Sequence, residues 1–198
     1  MKIGSAAGAV LAGGAGSRMR AEKAAVRFGD GTLLDRAVRT LAEAFDRVLV
    51  VGRGPAAWKA PEGVEVIPDD EPGLGPLGGM TTALGAAKAP WVFVAACDMP
   101  FLSVAIIMRL WDCLASAPDA QACAPRLAGA SQPLAAFYAR EALGPLRELV
   151  GRGERRARRL LESVRATYLD VAPGSPEARA LVNVNTPAEL AAALGEIA

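Results

Sequence analysis

The sequence predicts an α/β fold with a mainly parallel sheet, and three observations predict it. Compact apolar runs of strand length alternate with segments whose apolar residues recur at helical spacing. The run Trp91–Cys97 is continuously apolar, as expected of a strand buried on both faces. The first short run, Ala9–Ala12, stops at Gly13-Gly14, where glycines after a strand let the backbone approach a ligand closely.

The elements follow in order. Thr32 opens a helix in which Leu33, Leu34, Ala37, Val38 and Leu41 recur on one face. Thr32 with Asp35 forms a capping box, with Asp in the place of the usual Glu. Val48–Val51 is a strand ended by Gly52, and Val64–Ile67 is another ended by Pro68. A helix is expected over about Met80–Ala87, then the strand Trp91–Cys97, then a helix from Ser103 to about Ala115. Ala120–Pro125 and Leu134–Tyr138 read as later strands. Thr186-Pro187-Ala188-Glu189 starts a last helix, with Thr as N-cap, Pro at the first helical position and Glu three residues after the cap. No internal repeat, long linker or low-complexity block interrupts this pattern, so residues 1–198 are expected to form a single domain.

Composition narrows the chemistry. Apolar residues are 52% of the 198, enough for a sizeable core. Lys and Arg number 22 against 21 Asp and Glu, without the basic surplus of a general nucleic-acid binder. Histidine is absent, which excludes a Ser-His-Asp triad, a Cys-His pair and a His-ligated zinc. The three cysteines, Cys97, Cys113 and Cys123, form no C-x-x-C pair and read as buried thiols in a reducing cytoplasm. A secretory reading of Lys2 and Ile3–Ala12 is weakened by Gly4, Ser5 and Gly8. No apolar run reaches the roughly 18 residues of a membrane span.

Five segments carry candidate chemistry. Leu11-Ala12-Gly13-Gly14-Ala15-Gly16-Ser17-Arg18-Met19-Arg20-Ala21-Glu22-Lys23 combines a glycine turn with two cations, the needs of a triphosphate, although an ordinary turn with solvated cations has the same composition. A dinucleotide fingerprint is excluded because Met19 stands where its third glycine belongs, and the G-K-[ST] of a P-loop is missing. Cys97-Asp98-Met99-Pro100 follows a buried strand, where a carboxylate faces the ligand crevice and could hold Mg²⁺ with substrate phosphates; the alternative is a helix cap. Asp69-Asp70-Glu71 follows another strand, and Asp69 is nearest its end. Gly73-Leu74-Gly75-Pro76-Leu77-Gly78-Gly79 builds either a fixed backbone surface for a purine or a plain loop. Arg152 to Arg159 presents arginines opposite Ala157, Leu160, Leu161 and Val164, as a solvated basic face or as a dock for an anionic acceptor through Arg155 and Arg156.

These residues resemble the molybdenum cofactor guanylyltransferases, within the wider nucleotidyltransferases of the nucleotide-diphospho-sugar transferase type. The family's opening L-A-G-G-x-S/G-x-R-M-G-x-D-K resembles Leu11 to Lys23, its G-P-L-x-G resembles Gly75 to Gly79, and its C-D-x-P resembles Cys97 to Pro100. Its Q/H-P resembles Gln132-Pro133, and its N-V-N-T-P-x-E/D-L resembles Asn183 to Leu190. Arg20 and Glu22 depart from the family's Gly and Asp, and Val51 stands where some relatives carry a polar residue.

The resemblance implies a three-layer sandwich with a mainly parallel, Rossmann-like sheet. It implies GTP held by Leu11, Ala12, Gly13, Gly14, Lys23, Asp69, Gly75, Gly79 and Asp98, with Mg²⁺ on Asp98. It implies catalysis by Lys23, Arg18 and Asp98, and acceptor contacts from Asn183 and Asn185. The implied reaction moves GMP from GTP to the phosphate of molybdopterin in the cytoplasm. Transient contacts with cofactor-biosynthesis proteins and receiving molybdoenzymes are implied as well, with no nucleic acid and no membrane. The rival expectations are a cytidylyltransferase on the same acceptor, transfer to another small phosphate such as a sugar phosphate, and a non-catalytic GTP-binding domain.

Overall fold

The computed structural model describes residues 2–12, 24–52, 58–69 and 73–197. Its elements in chain order are β1 (Ala6–Leu11), β2 (Arg27–Phe28), β3 (Gly31–Thr32), α1 (Leu33–Ala44), β4 (Val48–Val51), β5 (Val64–Ile67), α2 (Pro76–Ala86), β6 (Trp91–Ala96) and α3 (Val104–Ala115). There follow β7 (Ala122–Leu127), β8 (Ala130–Ser131), β9 (Ala135–Ala139), α4 (Leu143–Gly151), α5 (Arg158–Ser163), β10 (Ala166–Val171), α6 (Pro176–Ala180) and α7 (Pro187–Gly195).

Among the described residues, eight strands form one mixed sheet in the order β10-β7-β9-β6-β1-β4-β5, with β8 beside β7. β1 pairs parallel with both β4 and β6, and β4 with β5. β10 pairs parallel with β7, and β9 runs antiparallel between β6 and β7, so the sheet is mainly parallel as expected, with β9 and the short β8 reversed. β2 and β3 make a separate hairpin.

The strands alternate their side chains between two cores. Val10, Val48, Val50, Phe93 and Ala95 face one core, which α1 closes with Leu34, Val38 and Leu41 and α3 closes with Ile106, Ile107 and Leu110. Leu11, Leu49, Val51, Val92 and Val94 face the other, closed by Leu77, Met80 and Leu84 of α2, Leu146 of α4 and Leu160 and Leu161 of α5. Helices on both faces of the sheet make the three layers. Both faces being apolar explains why these strands read as continuous apolar runs. Phe93 and Phe137 pack edge to face at 5.0 Å, with Trp111 and Phe45 against them.

Local signals set the helix starts. Thr32 caps α1 as expected, accepting from the Asp35 N–H while Asp35 accepts from the Thr32 N–H. Thr186 and Glu189 do the same for α7. α2 begins at Pro76, earlier than the expected Met80, because Pro76 occupies the first helical turn where its missing N–H costs nothing. Strands β7 and β9 are offset from expectation by two residues and by one, the usual ambiguity of an apolar run.

Candidate active site

Strand order locates the crevice. From β1 the chain moves outward through β4 to β5, then returns to place β6 on the other side of β1. Between β1 and β6 the direction of winding reverses, and ligands in open α/β sheets bind there, beyond the carboxyl ends of the strands. Leu11 and Ala96, the last residues of β1 and β6, are paired in register.

A cavity of about 230 Å³ opens at that point, lined by Leu11, Ala96, Cys97, Asp98, Leu134, Asn183 and Asn185. The structure therefore brings the end of the first strand, the acid after the tryptophan-led strand and both asparagines of the closing motif into one site. Backbone bonds fix each wall. Ala12 N–H donates to Val51 O at 2.9 Å, Ala96 N–H to Leu134 O at 3.1 Å, and Val184 N–H to Asp98 O at 2.9 Å. That last bond docks the Asn183-Val184-Asn185 segment onto the Asp98 turn. Asp98 is half-buried, with Oδ1 sealed from solvent. Asn183 Nδ2 donates to Leu181 O at 3.4 Å, and the amide keeps a second N–H and its oxygen for a ligand.

The Gly75–Gly79 segment stands behind this wall. Gly75 has φ +66° and ψ −151°, a conformation open only to glycine. Gly79 lies against Leu11, and a Cβ there would sit 3.3 Å from Leu11 Cδ2. A Cβ on Gly75 would sit 3.6 Å from the Arg155 carbonyl, so the basic segment is packed beside this loop.

Arg155 and Arg156 differ from the expected helical basic face. Both precede α5, and Glu154 folds back between them, accepting from the backbone N–H groups of both and from the Arg156 guanidinium. The Arg156 guanidinium, with these N–H groups, holds the Glu154 carboxyl down at about 2. Arg158 and Arg159 pair with Glu162. Among the described residues no carboxylate pairs with Arg155, whose guanidinium donates to the Glu154 carbonyl.

Asp69 follows β5 as expected and is half-buried, outside the residues lining the cavity. Gly13, Gly14, Arg18 and Lys23, together with Arg20, Glu22, Asp70 and Glu71, lie outside the described residues. Cys123 is fully buried, and burial followed by the nearby Cys113 raises its thiol pKa well above the ordinary value. Cys113 is half-exposed rather than buried, and Cys97, a buried residue, lines the cavity as well. Leu134 was not legible as a site residue; its only signal was its place next to Gln132-Pro133. No helix among the described residues is long and apolar enough to cross a membrane.

Comparisons with known proteins identify the family and the fold. The profile of the MobA-like NTP transferase domain matches residues 8–169. The molybdenum cofactor guanylyltransferase of Syntrophotalea carbinolica is 33% identical over 189 residues, covering 94% of this chain and 88% of that protein. The crystal structure of molybdopterin-guanine dinucleotide biosynthesis protein A from Archaeoglobus fulgidus superimposes with a TM-score of 0.78 at 26% identity, covering 96% of this chain and 98% of that one. A 2-C-methyl-D-erythritol 4-phosphate cytidylyltransferase from Thermus thermophilus, at 17% identity and a TM-score of 0.70 over 96% of this chain and 97% of that one, shares the fold. The chain belongs to the MobA-like NTP transferase family and, within it, stands with the molybdenum cofactor guanylyltransferases.

Proposed function

We propose that the chain transfers GMP from GTP to the phosphate of molybdopterin, forming the guanine dinucleotide and releasing pyrophosphate. The observation that carries this reading is the cavity that Leu11, Asp98, Asn183 and Asn185 line together at the reversal point of the sheet. Family membership supports guanine as the base and molybdopterin as the acceptor.

The donor set fits Mg²⁺. Asp98 offers a carboxylate in a cavity that Asn183 and Asn185 line as well. Mg²⁺ favours hard oxygen ligands and usually takes few from the protein, completing its shell with water and substrate phosphates. Bound by Asp98, the ion would neutralise charge on the triphosphate as it builds up.

The chain's own residues then do three things. The backbone after Leu11, with Lys23 and Arg18, is assigned to the triphosphate, and Asp69 and the Gly75–Gly79 backbone to the nucleoside. Asn183, Asn185 and the Arg155–Arg156 segment orient the acceptor. An oxygen of the acceptor phosphate attacks the α-phosphorus, the bond from that phosphorus to the bridging oxygen breaks, and pyrophosphate leaves. No general base is needed, because a phosphomonoester with a second pKa of about 6 is largely a dianion at neutral pH. What remains is bringing two anions into line, which is positioning and charge neutralisation. The reaction needs no membrane and suits a reducing cytoplasm.

The test is pyrophosphate release with Mg²⁺, GTP and molybdopterin, with CTP and ATP in parallel. Release with GTP at least roughly tenfold faster than with CTP is expected. Asp98→Asn should lower kcat by roughly a thousandfold while the protein stays folded, since one developing-charge contact is worth about 10²–10³ in kcat. GTP binding with no release in the presence of molybdopterin would return the chain to a non-catalytic role.

A further inference from the structure

The turn that carries Asp98 is gripped from α1, a helix with no part in the chemistry above. Arg36 Nε donates to the Pro100 carbonyl at 2.5 Å, and Thr40 Oγ1 donates to the Leu102 carbonyl at 3.3 Å. The turn's own closing bond runs from Leu102 N–H to Met99 O at 3.2 Å. Pro100 is buried, so its carbonyl requires a protein donor, and Arg36 supplies it.

The same guanidinium lies 5.3 Å from the ring centroid of Phe28, which meets Phe101 edge to face at 5.8 Å. Phe28 belongs to β2, the first strand after the lysine-bearing segment, and Phe101 directly follows the Asp98 turn. One side chain thus touches the chain leaving each of the two segments assigned to the phosphates. Both rings also join Leu33, Val184 and Leu190 in a small third core, which carries the asparagine segment. Arg36 is half-buried, and among the described residues no carboxylate pairs with it. A cation partly withdrawn from water without an anionic partner is costly, and packing on Phe28 could be done by an apolar side chain. The hydrogen bond to Pro100 is what an apolar side chain could not provide.

The geometry points to Arg36 as a positioning residue for the transfer reaction: it holds the Asp98 turn in a set relation to the strand that follows the lysine-bearing segment, with Thr40 as a second grip. This rests on the reading of Asp98 as the ligand-holding acid. Arg36 does not touch substrate; it acts through the Pro100 carbonyl.

Two near-isosteric substitutions isolate the bond. Arg36→Gln puts an amide nitrogen where Nε stands and keeps the donor without the charge. Arg36→Met puts a methyl there and removes it. With wild-type protein alongside, Arg36→Met should lose roughly tenfold or more in kcat with the KM for GTP within about twofold, because small misplacements of catalytic groups cost rate rather than binding. The Leu102 amide should exchange with solvent at least about fivefold faster. Arg36→Gln should stay within about threefold of wild type in both. The inference is overturned if folded Arg36→Met keeps wild-type kcat, or if Arg36→Gln loses as much as Arg36→Met. If Arg36→Met does not fold, Thr40→Val takes its place, with a loss of roughly threefold in kcat expected and wild-type kcat and exchange overturning the inference. Absence of turnover in the wild-type protein is failure of the proposed function instead, and the exchange comparison still reads the grip.

Discussion

A methyl group at Gly79 would stand 3.3 Å from Leu11 Cδ2, and the neighbour it meets is the end of a flexible side chain. Leu11 can move, but it moves at the cavity wall. Gly79→Ala should therefore raise the KM for GTP severalfold while changing stability by less than about 1 kcal/mol; steady-state kinetics with a thermal melt checks both. Gly75 differs, since its φ of +66° with ψ −151° strains any side chain. The two arginines beside that glycine also separate at this scale. Arg156 is engaged by Glu154, whereas Arg155 has no carboxylate partner among the described residues and packs against Gly75. Arg155→Ala should raise the molybdopterin KM by at least about fivefold with GTP binding unchanged, and Arg156→Ala should do less, given that exposed ion pairs contribute little. An unchanged acceptor KM in Arg155→Ala would leave that segment a solvated face.

At the scale of elements, α1 combines two separate sets of residues. Its apolar face closes a core, and its first turn is held by Asp35, which accepts from Thr32 N–H at 2.8 Å and from Trp58 Nε1 at 2.8 Å. Burial alone would raise the Asp35 carboxyl, but the bonds from Thr32 and Trp58, with Arg39 nearby, outweigh it and hold the pKa below 3.8. A carboxyl with a lowered folded pKa stabilises the fold above its unfolded value and loses that contribution as pH falls through the folded one. Asp35→Ala should thus cost about 1–2 kcal/mol at neutral pH, as loss of a capping partner does. The gap in unfolding midpoint between variant and wild type should shrink below pH 3.8. A gap independent of pH would remove the charged carboxylate from the cap. How far the helices were readable follows from the same chemistry. Thr32 with Asp35 and Thr186 with Glu189 are capping residues at fixed offsets, so those starts were legible to the residue. α2 was expected too late, because glycines at 78 and 79 disguise its first turn as loop. They are tolerated because the helix is packed between β1 and α4 rather than standing in water, which outweighs their poor propensity.

For the whole molecule, the absence of histidine and the arrangement of the cavity predict how rate depends on pH. The titrating group is the acceptor phosphate, so kcat/KM for the acceptor should rise through pH ~6, where a phosphomonoester takes its second charge, and stay level to pH ~8. A bell with a descending limb below pH 8 would reveal a protein acid that this mechanism lacks. By itself the sequence determined the order of the longer elements from β1 to β9, two helix caps, the exclusion of histidine chemistry and the acid after β6, because these depend on local spacing and composition; the β2–β3 hairpin, α4, β10 and α6 were not read from it. It identified Asn183 and Asn185 only through a resemblance. Tertiary structure alone decided that they line one cavity with Asp98, where a hydrogen bond runs from Val184 N–H to the Asp98 carbonyl far back along the chain. It also decided that β9 runs antiparallel beside β6, that Leu134 forms a wall of the cavity, and that Glu154 takes up Arg156 and leaves Arg155. These are long-range pairings or local charge choices, set by which surfaces bury one another on folding, and no residue period along the chain encodes them.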